Sequence, residues 1–435
     1  MAVSPPASDQ GLRPRPRAWT GAVVLAVAVS AAVACASALG IDYLALGCDL
    51  QRCDDPGLSI EALGRLDFST FFLQQPPMGS FSLLVRAPFA RLGISLGGDL
   101  WAYRLGAFVC VLAAGLLAVW IARAMARRGR SWMAYVLVPG AIVVNPLTYQ
   151  SLYYGHPEEV LGAALCVAAA LAAGHRRVLL GGVLLGAAMA TKQWALLAVV
   201  PVLVAAPAGG RVRVGVAAGA VAAALTVPML AGNPQRFAAA QERVSVSDAF
   251  EHAVTASNVW WPFTTASTGM AATSSGRRER VVQYSLPGAL GRLAHPLVAV
   301  IAIGLALLYA RRRRGAEPED ALQLLALVLL VRCVLDPLTW SYHHEPFLVA
   351  LLAYEGLRRR VPVLSAYAIG GILALDEVIA PSKDPGLING FYLVWALLLA
   401  AALALGAFAP ERAWRLGRGL VGPPPAPDPS PVSAP

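Results

Sequence analysis

Apolar residues gather along this chain into long runs separated by short polar breaks, at roughly 19-40, 101-122, 131-150, 158-174, 214-231, 295-310, 320-338, 345-357, 361-379 and 387-409. A helix needs about 20 residues to cross the hydrocarbon of a bilayer while satisfying its own backbone hydrogen bonds, and runs of this kind predict membrane helices. One stretch, 178-207, is longer and is interrupted by Thr191-Lys192-Gln193-Trp194. It reads either as one tilted span with a lysine inside it or as two short helices folded as a hairpin.

The arginines decide between these readings, because Lys and Arg accumulate in short cytoplasmic loops. They cluster at Arg13/Arg15/Arg17, Arg123/Arg127/Arg128/Arg130, Arg176/Arg177, Arg211/Arg213, Arg311 to Arg314, Arg358 to Arg360 and Arg412/Arg415/Arg418. With the N-terminus inside, every cluster falls on the cytoplasmic side only if 178-207 crosses twice. The expected fold is therefore all-α: a polytopic transmembrane bundle of about 12 passes, including a short helical hairpin, with interfacial helices in its external loops. On this reading 1-18 is a cytoplasmic tail, 19-409 is the membrane domain with external loops at 41-100 and 232-294, and 410-435 is a Pro-rich cytoplasmic tail. Within the first loop, Phe71 to Gly97 reads as amphipathic pieces lying in the interface.

Composition agrees with a lipid environment: 57% hydrophobic residues, 14% charged and a mean hydropathy of +0.61 leave too little polar surface for a soluble chain of 435 residues. The net charge of +10 could point to nucleic acid, but its arginines sit between apolar runs and report topology instead. Two of the 35 basic residues are lysines, Lys192 and Lys383, which makes Lys192 an unusual choice. Cys35, Cys110, Cys166 and Cys333 lie in apolar runs as small packing residues, whereas Cys48 and Cys53 share the external loop and could pair in an oxidising compartment. Ala36-Ser37-Ala38 after the first run resembles a signal-peptidase site, but the run is long for a signal sequence and reads as a retained anchor.

The remaining polar residues converge on one rim. Asp42 and Asp49 follow the first span, His156, Glu158 and Glu159 open the fourth run, Lys192 caps the hairpin, and Arg332 and Asp336 lead into Tyr342, His343, His344 and Glu345. Ionisable groups at a membrane boundary are expensive unless they pair or serve a site, so this rim is a candidate active centre. Structural readings stand beside it. Glu158 and Glu159 behind Pro157 suit an ordinary helix start, Arg332 and Asp336 are one turn apart and can pair, the loop aspartates suit solvated turns, and Trp260 and Trp261 suit interfacial anchors.

Several short motifs carry a resemblance: an acidic residue just beyond the first span, Gln75-Pro76-Pro77-Met78-Gly79-Ser80 followed by Leu83 to Pro88, Tyr153-Tyr154-Gly155-His156-Pro157-Glu158 at a helix end, and Thr191-Lys192-Gln193 on a short hairpin. In this order they resemble the GT-C class of integral membrane glycosyltransferases, nearest the bacterial polyprenyl-phosphate-dependent mannosyl and arabinosyl transferases. The resemblance implies a plasma-membrane enzyme that transfers a sugar with inversion from a polyprenyl phosphate to a lipid or glycan acceptor on the external face. Asp42 or Asp49 would be the general base, Asp42 being favoured by its closeness to the first span. Lys192, Arg332, His156 and His343 would hold the departing phosphate. Glu158, Gln193, Asp336, Tyr342, His344, Asn258 and Trp261 would lie about the sugar or acceptor. No metal-ligand spacing is visible, and the resemblance implies no metal and no cofactor beyond the lipid-linked donor. A lipid-linked sugar flippase or secondary transporter is the alternative; it predicts internal repeats and charge at mid-membrane, and neither is found.

Overall fold

A computed structural model describes residues 16–36, 57–73, 75, 79–245, 254–272, 278–312, 319–358 and 361–409. Asp42, Asp49, Cys48, Cys53 and the C-terminal tail from 410 lie outside the described residues. The helices are α1 (Pro16–Ala36), α2 (Gly57–Gly64), α3 (Phe68–Leu73), α4 (Ser80–Gly97), α5 (Asp99–Arg127), α6 (Trp132–Val143), α7 (Pro146–Tyr153), α8 (Pro157–Gly174) and α9 (Val178–Met189). After Lys192 a 3-10 turn (Gln193–Ala198) runs into α10 (Val199–Ala205), followed by α11 (Arg211–Gly232) and α12 (Pro234–Ser245). The last third holds α13 (Gly288–Arg312), α14 (Asp320–Leu335), α15 (Glu345–Arg358), α16 (Val363–Ala374) and α17 (Pro385–Phe408).

Among the described residues, six helices are long and apolar enough to cross a membrane: Asp99–Arg127, Pro157–Gly174, Ala208–Gly232, Leu290–Arg312, Val363–Ser382 and Pro385–Phe408. The 178-207 stretch breaks at Thr191-Lys192, as one of its two readings requires. Glycine contacts give the direction of its halves. Gly210 lies against Val178, Gly182 against Val214 and Ala217, and Gly186 against Ala218 and Val221, so α9 and α11 run parallel. The chain between them must therefore return through the 3-10 turn and α10. Against α8 the direction is opposite, with Gly181 on Ala173 and Gly162 under Trp194 and Thr191. The start of α8 and the tip of the hairpin consequently share one end of the bundle.

Two local features differ from the sequence pattern. The apolar run 131-150 is two helices, because Asn145 is extended (φ -136) and its side chain accepts from the backbone amides of Leu147 and Thr148, with Pro146 at the first position of α7. The helical expectation holds for nearly all of the described residues; the departure from it is an antiparallel pair, β1 (Thr265–Ala272) and β2 (Arg278–Ser285), in register from Thr265↔Ser285 to Ala272↔Arg278. Its Thr, Val and Tyr content favours strand, and between α12 and α13 it belongs to a connecting segment, not to the bundle.

At the opposite end from Lys192 the chain places more than the arginine expected there. Arg128 pairs with Glu319, Arg358 Nε reaches Asp320 Oδ1 at 3.0 Å, and Arg130 donates to the carbonyl of Leu357. Glu355 accepts from the amides of Leu364 and Ser365, closing the turn into α16. These contacts tie α5, α14, α15 and α16 together below the apolar core. Cys110, Cys166 and Cys333 are buried within that core as small packing residues.

Backbone closeness at small residues is what holds α9 to α11. A side chain at Gly186 would meet the Ala218 carbonyl at 2.5 Å, whereas Gly219 has nothing within 4 Å. Gly186→Leu is expected to destabilise the protein by about 1–3 kcal/mol or more, the cost of overpacking, and Gly219→Leu to leave thermal unfolding in detergent unchanged; equal midpoints would contradict the parallel packing of α9 on α11.

Candidate active site

Helix α8 begins at Pro157, whose ring suits the first helical position, so Glu158 and Glu159 occupy the first turn. Their side chains do more than answer the helix dipole. Glu158 is fully buried, and its carboxylate takes Lys192 Nζ at 3.0 Å, His156 Nδ1 at 3.1 Å and Arg86 at 3.4 Å. Glu159 takes the same lysine at 3.3 Å. One carboxylate thus joins α4 from the first loop, the N-terminus of α8 and the hairpin tip. The tip can come this close because Gly79, just before α4, has no side chain: a Cβ there would collide with the Ala190 carbonyl, and its amide instead donates to the Thr191 carbonyl at 3.1 Å.

Arg332 enters from the last turn of α14. Its guanidinium lies 5.7 Å from the ring centre of Trp194, donates to the His343 carbonyl at 3.1 Å and approaches Asp336 at 3.8 Å. The His156 ring stacks on Tyr342 at 5.0 Å with 19° between planes, and Tyr342 meets His343 edge-on at 4.5 Å. Burial and the charges of Arg332 and Lys192 hold the His343 imidazole well below its ordinary range, so it is neutral at pH 7. Burial also works against the charge of Lys192, but Glu158 and Glu159 outweigh it and raise its affinity for a proton. The lysine stays ionised.

Four expected phosphate ligands, Lys192, Arg332, His156 and His343, are thereby brought to one end of the bundle, with Glu158 and Tyr342 among them. Other expected contacts lie to the side. Gln193 turns away from the cluster and bonds Gln241 of α12 beside a cavity of about 220 Å³. His344 is buried and shared between the Ser341 carbonyl and the Tyr392 hydroxyl, each at 3.0 Å, as a tie to α17. Asn258 is buried, donates to the Asp336 carbonyl and accepts from the Trp260 amide, which positions the second loop over α14. Trp261 packs edge-on against Tyr284 of β2. Asp336 accepts from the Leu338 amide and faces His295 at 3.7 Å.

Two further residues belong to this end: Glu345, which the sequence puts on the rim without a role, and Arg86, which it does not put there. Glu345 is buried at the start of α15 and accepts from Thr148 at 2.8 Å and Asn145 at 3.3 Å. Arg86 carried a signal, an arginine inside an amphipathic loop helix, but its partner is 72 positions away in sequence. Glu159 Oε2, Trp194 Nε1 and Glu345 Oε2 are buried without a hydrogen-bond partner. Buried polar atoms of this kind are ones that water or a ligand can complete. Among the described residues no cluster of His, Cys, Asp and Glu has the arrangement of a metal site.

Counting Arg86, Lys192 and Arg332 against Glu158, Glu159 and Asp336, the cluster is close to charge-balanced with His343 neutral. An anion would be held by directed donors and not by a net positive field. Lys192 spends two of its three N–H donors on Glu158 and Glu159, and Arg332 spends one firm bond of its five donors, so both have capacity left. Removing Glu158 leaves the buried Arg86 and the half-buried Lys192 beside a weakened counter-charge, and Glu158→Ala is expected to cost about 3–5 kcal/mol in a denaturation experiment in detergent. The Arg65 side chain, paired with Glu61, is 60% exposed, and Arg65→Ala should change stability by less than about 1 kcal/mol. Comparable losses in the two variants would remove Glu158 from its central position.

No curated protein matches the chain in sequence. Among solved structures, ArnT from Cupriavidus metallidurans in the apo state is similar at 16% identity and a TM-score of 0.42, over 92% of this chain and 80% of that one. The family model described as glycosyltransferase family 87 matches residues 76–337, more than half of the chain and a stretch that includes Arg86, His156, Glu158, Lys192 and Arg332. This bears out the resemblance to membrane glycosyltransferases drawn from the motifs: the chain belongs to glycosyltransferase family 87.

Proposed function

We propose that the protein transfers a sugar with inversion from a polyprenyl-phosphate donor to a lipid or glycan acceptor, at a site on the external side of the plasma membrane. The observation that carries this reading is that both Lys192 and Arg332 lie at one end of a membrane bundle, each retaining donors that existing contacts do not use. Lipid-linked donors present their phosphate at the membrane boundary, where this end of the bundle would lie.

In the reaction, the acceptor oxygen forms a bond to the anomeric carbon as the bond from that carbon to the phosphate oxygen breaks. The electron pair leaves with the phosphate. Lys192 and Arg332 donate to the oxygens on which this charge grows, which favours the transition state over the ground state. The acceptor proton passes to a carboxylate, a contribution of roughly 10²- to 10⁴-fold. Asp42 is the base in this reading, with Asp49 as the second candidate; Glu158 is engaged by Lys192, Arg86 and His156, and Glu345 accepts from Asn145 and Thr148. The reading also takes the shorter helices α1, α6, α9, α10, α14 and α15 as membrane passes alongside the six long ones, about 12 in all, with both termini cytoplasmic.

Two measurements test it. In nanodiscs with radiolabelled polyprenyl-phosphate sugars and a membrane extract as acceptor, wild type should form product. Asp42→Asn or Asp49→Asn should lower turnover by roughly 10²-fold or more with donor binding retained, and Lys192→Ala should weaken donor binding as well. Movement of labelled lipid between leaflets without consumption would replace the transferase with a flippase. For topology, a cysteine-free protein carrying Ser382→Cys should react with an impermeant maleimide on intact cells, and Arg127→Cys only after permeabilisation; the reverse pattern would put the cluster on the cytoplasmic face.

A further inference from the structure

Beside the ion-pair cluster, at the same end of the bundle, a groove of about 550 Å³ runs between α7 and the end of the helix that begins at Val363. One wall carries Tyr149, Tyr153 and Tyr154, and the other Asp376 and Glu377. The acidic wall is built unusually: the apolar helix α16 widens into a π turn at Leu375–Ile379 and places two consecutive carboxylates there. Such single π turns are found mostly at functional positions. Carboxylates in an otherwise apolar candidate span are costly unless they serve a site. Asp376 is held by Ser341 at 2.7 Å and Gln150 at 2.6 Å, which fixes this wall to the turn bearing Tyr342 and His343. Glu377 has no such tie and is exposed, and the buried Oε1 of Gln150 has no partner.

The tyrosines are arranged as a platform. Tyr149 and Tyr153 stack at 6.0 Å with 28° between planes, and both are followed by Tyr154, which lies edge-on to Tyr153 at 5.2 Å and tilted on Tyr342 at 5.8 Å. Tyr342 in turn stacks on His156 of the cluster. A continuous row of rings therefore leads from the groove to the ion pairs. Tyr149 is 55% exposed and Tyr154 41% exposed, so apolar ring surface faces outward beside carboxylates. Aromatic faces present an apolar surface to the C–H face of a pyranose or furanose ring, and carboxylate and amide oxygens accept from its hydroxyls. That combination of chemistry selects a saccharide over an apolar ligand, which would leave Glu377 and Gln150 unsatisfied, and over an anion, which the two carboxylates repel.

We propose that this groove is the acceptor subsite: it binds a sugar ring of the acceptor on Tyr149 and Tyr153, with Glu377 and Gln150 accepting from its hydroxyls, and directs a hydroxyl along the tyrosine row to the cluster. The assignment rests on the transferase reading for its role and on the groove itself for its ligand. Asp376 is a positioning residue here, since both of its oxygens are engaged by protein.

The test separates the two. Saccharide binding is measured without donor, by saturation-transfer-difference NMR of full-length protein in nanodiscs with a panel of methyl glycosides and, in a second arm, a headgroup-matched glycolipid. Wild type should show contact to ring C–H protons, reduced about five- to tenfold in affinity by Tyr149→Ala and by Glu377→Gln, and retained in Tyr149→Phe and in Lys192→Ala. With donor present, Tyr149→Ala and Glu377→Gln should raise the acceptor KM by the same factor and leave the donor KM within about twofold. No response from either the glycosides or the glycolipid, or a response that the groove variants retain in full, overturns the subsite. Groove-dependent binding in a protein that transfers no sugar keeps the saccharide site and sinks the transferase reading. A response to the glycolipid alone, lost in the same variants, names a lipid-borne acceptor; equal response to both names the sugar ring as sufficient.

Discussion

A single buried carboxylate organises one end of this protein. Glu158 is fully enclosed, and an isolated ionised glutamate there would carry a desolvation cost of several kcal/mol. It is tolerated because Lys192, His156 and Arg86 converge on it from the hairpin tip, the preceding loop and the first-loop helix. The consequence is geometric. Three segments far apart in sequence are held at one point, and Lys192 is presented with a donor to spare. Close backbone approach makes this possible, with Gly79 against the hairpin tip and Gly162 beneath Trp194.

The far end solves the opposite problem. Its ion pairs, Arg128 with Glu319 and Arg358 with Asp320, join helices whose apolar lengths have run out. The same residue types therefore play two parts: Arg128 with Glu319 and Arg358 with Asp320 tie helices together, while at the other end Lys192 and Arg332 keep donors to spare.

The groove and the cluster share a support. The short turn Ser341–His344 donates Ser341 to Asp376, stacks Tyr342 on His156 and offers the His343 carbonyl to Arg332. His344, buried against Tyr392, anchors that turn to α17. One turn thus sets the spacing between the wall of the groove and the cationic side chains, which is the distance a transferred sugar must bridge in the proposed reaction.

Much of this was legible in the sequence. Apolar runs and arginine spacing are local quantities, and they were enough to predict a helical membrane protein, a break at Lys192 and the gathering of His156, Glu158, Lys192, Arg332 and His343 at one end. The reason is that bilayer thickness and the backbone's need for hydrogen bonds impose a fixed length on each element, so position in sequence translates into depth. Tertiary structure alone decided which of these residues touch. Depth does not specify the angle around the bundle, and it is the glycine-mediated register of α8, α9 and α11 that turns Lys192 onto Glu158 and Gln193 away from it. The β-hairpin lay beyond a code based on apolar length, and so did Asp376 and Glu377, whose meaning depends on a π turn and on tyrosines more than 200 positions distant. Sequence determined the layers, because the solvent reads them one helix at a time; only packing, which reads many helices at once, determined the site.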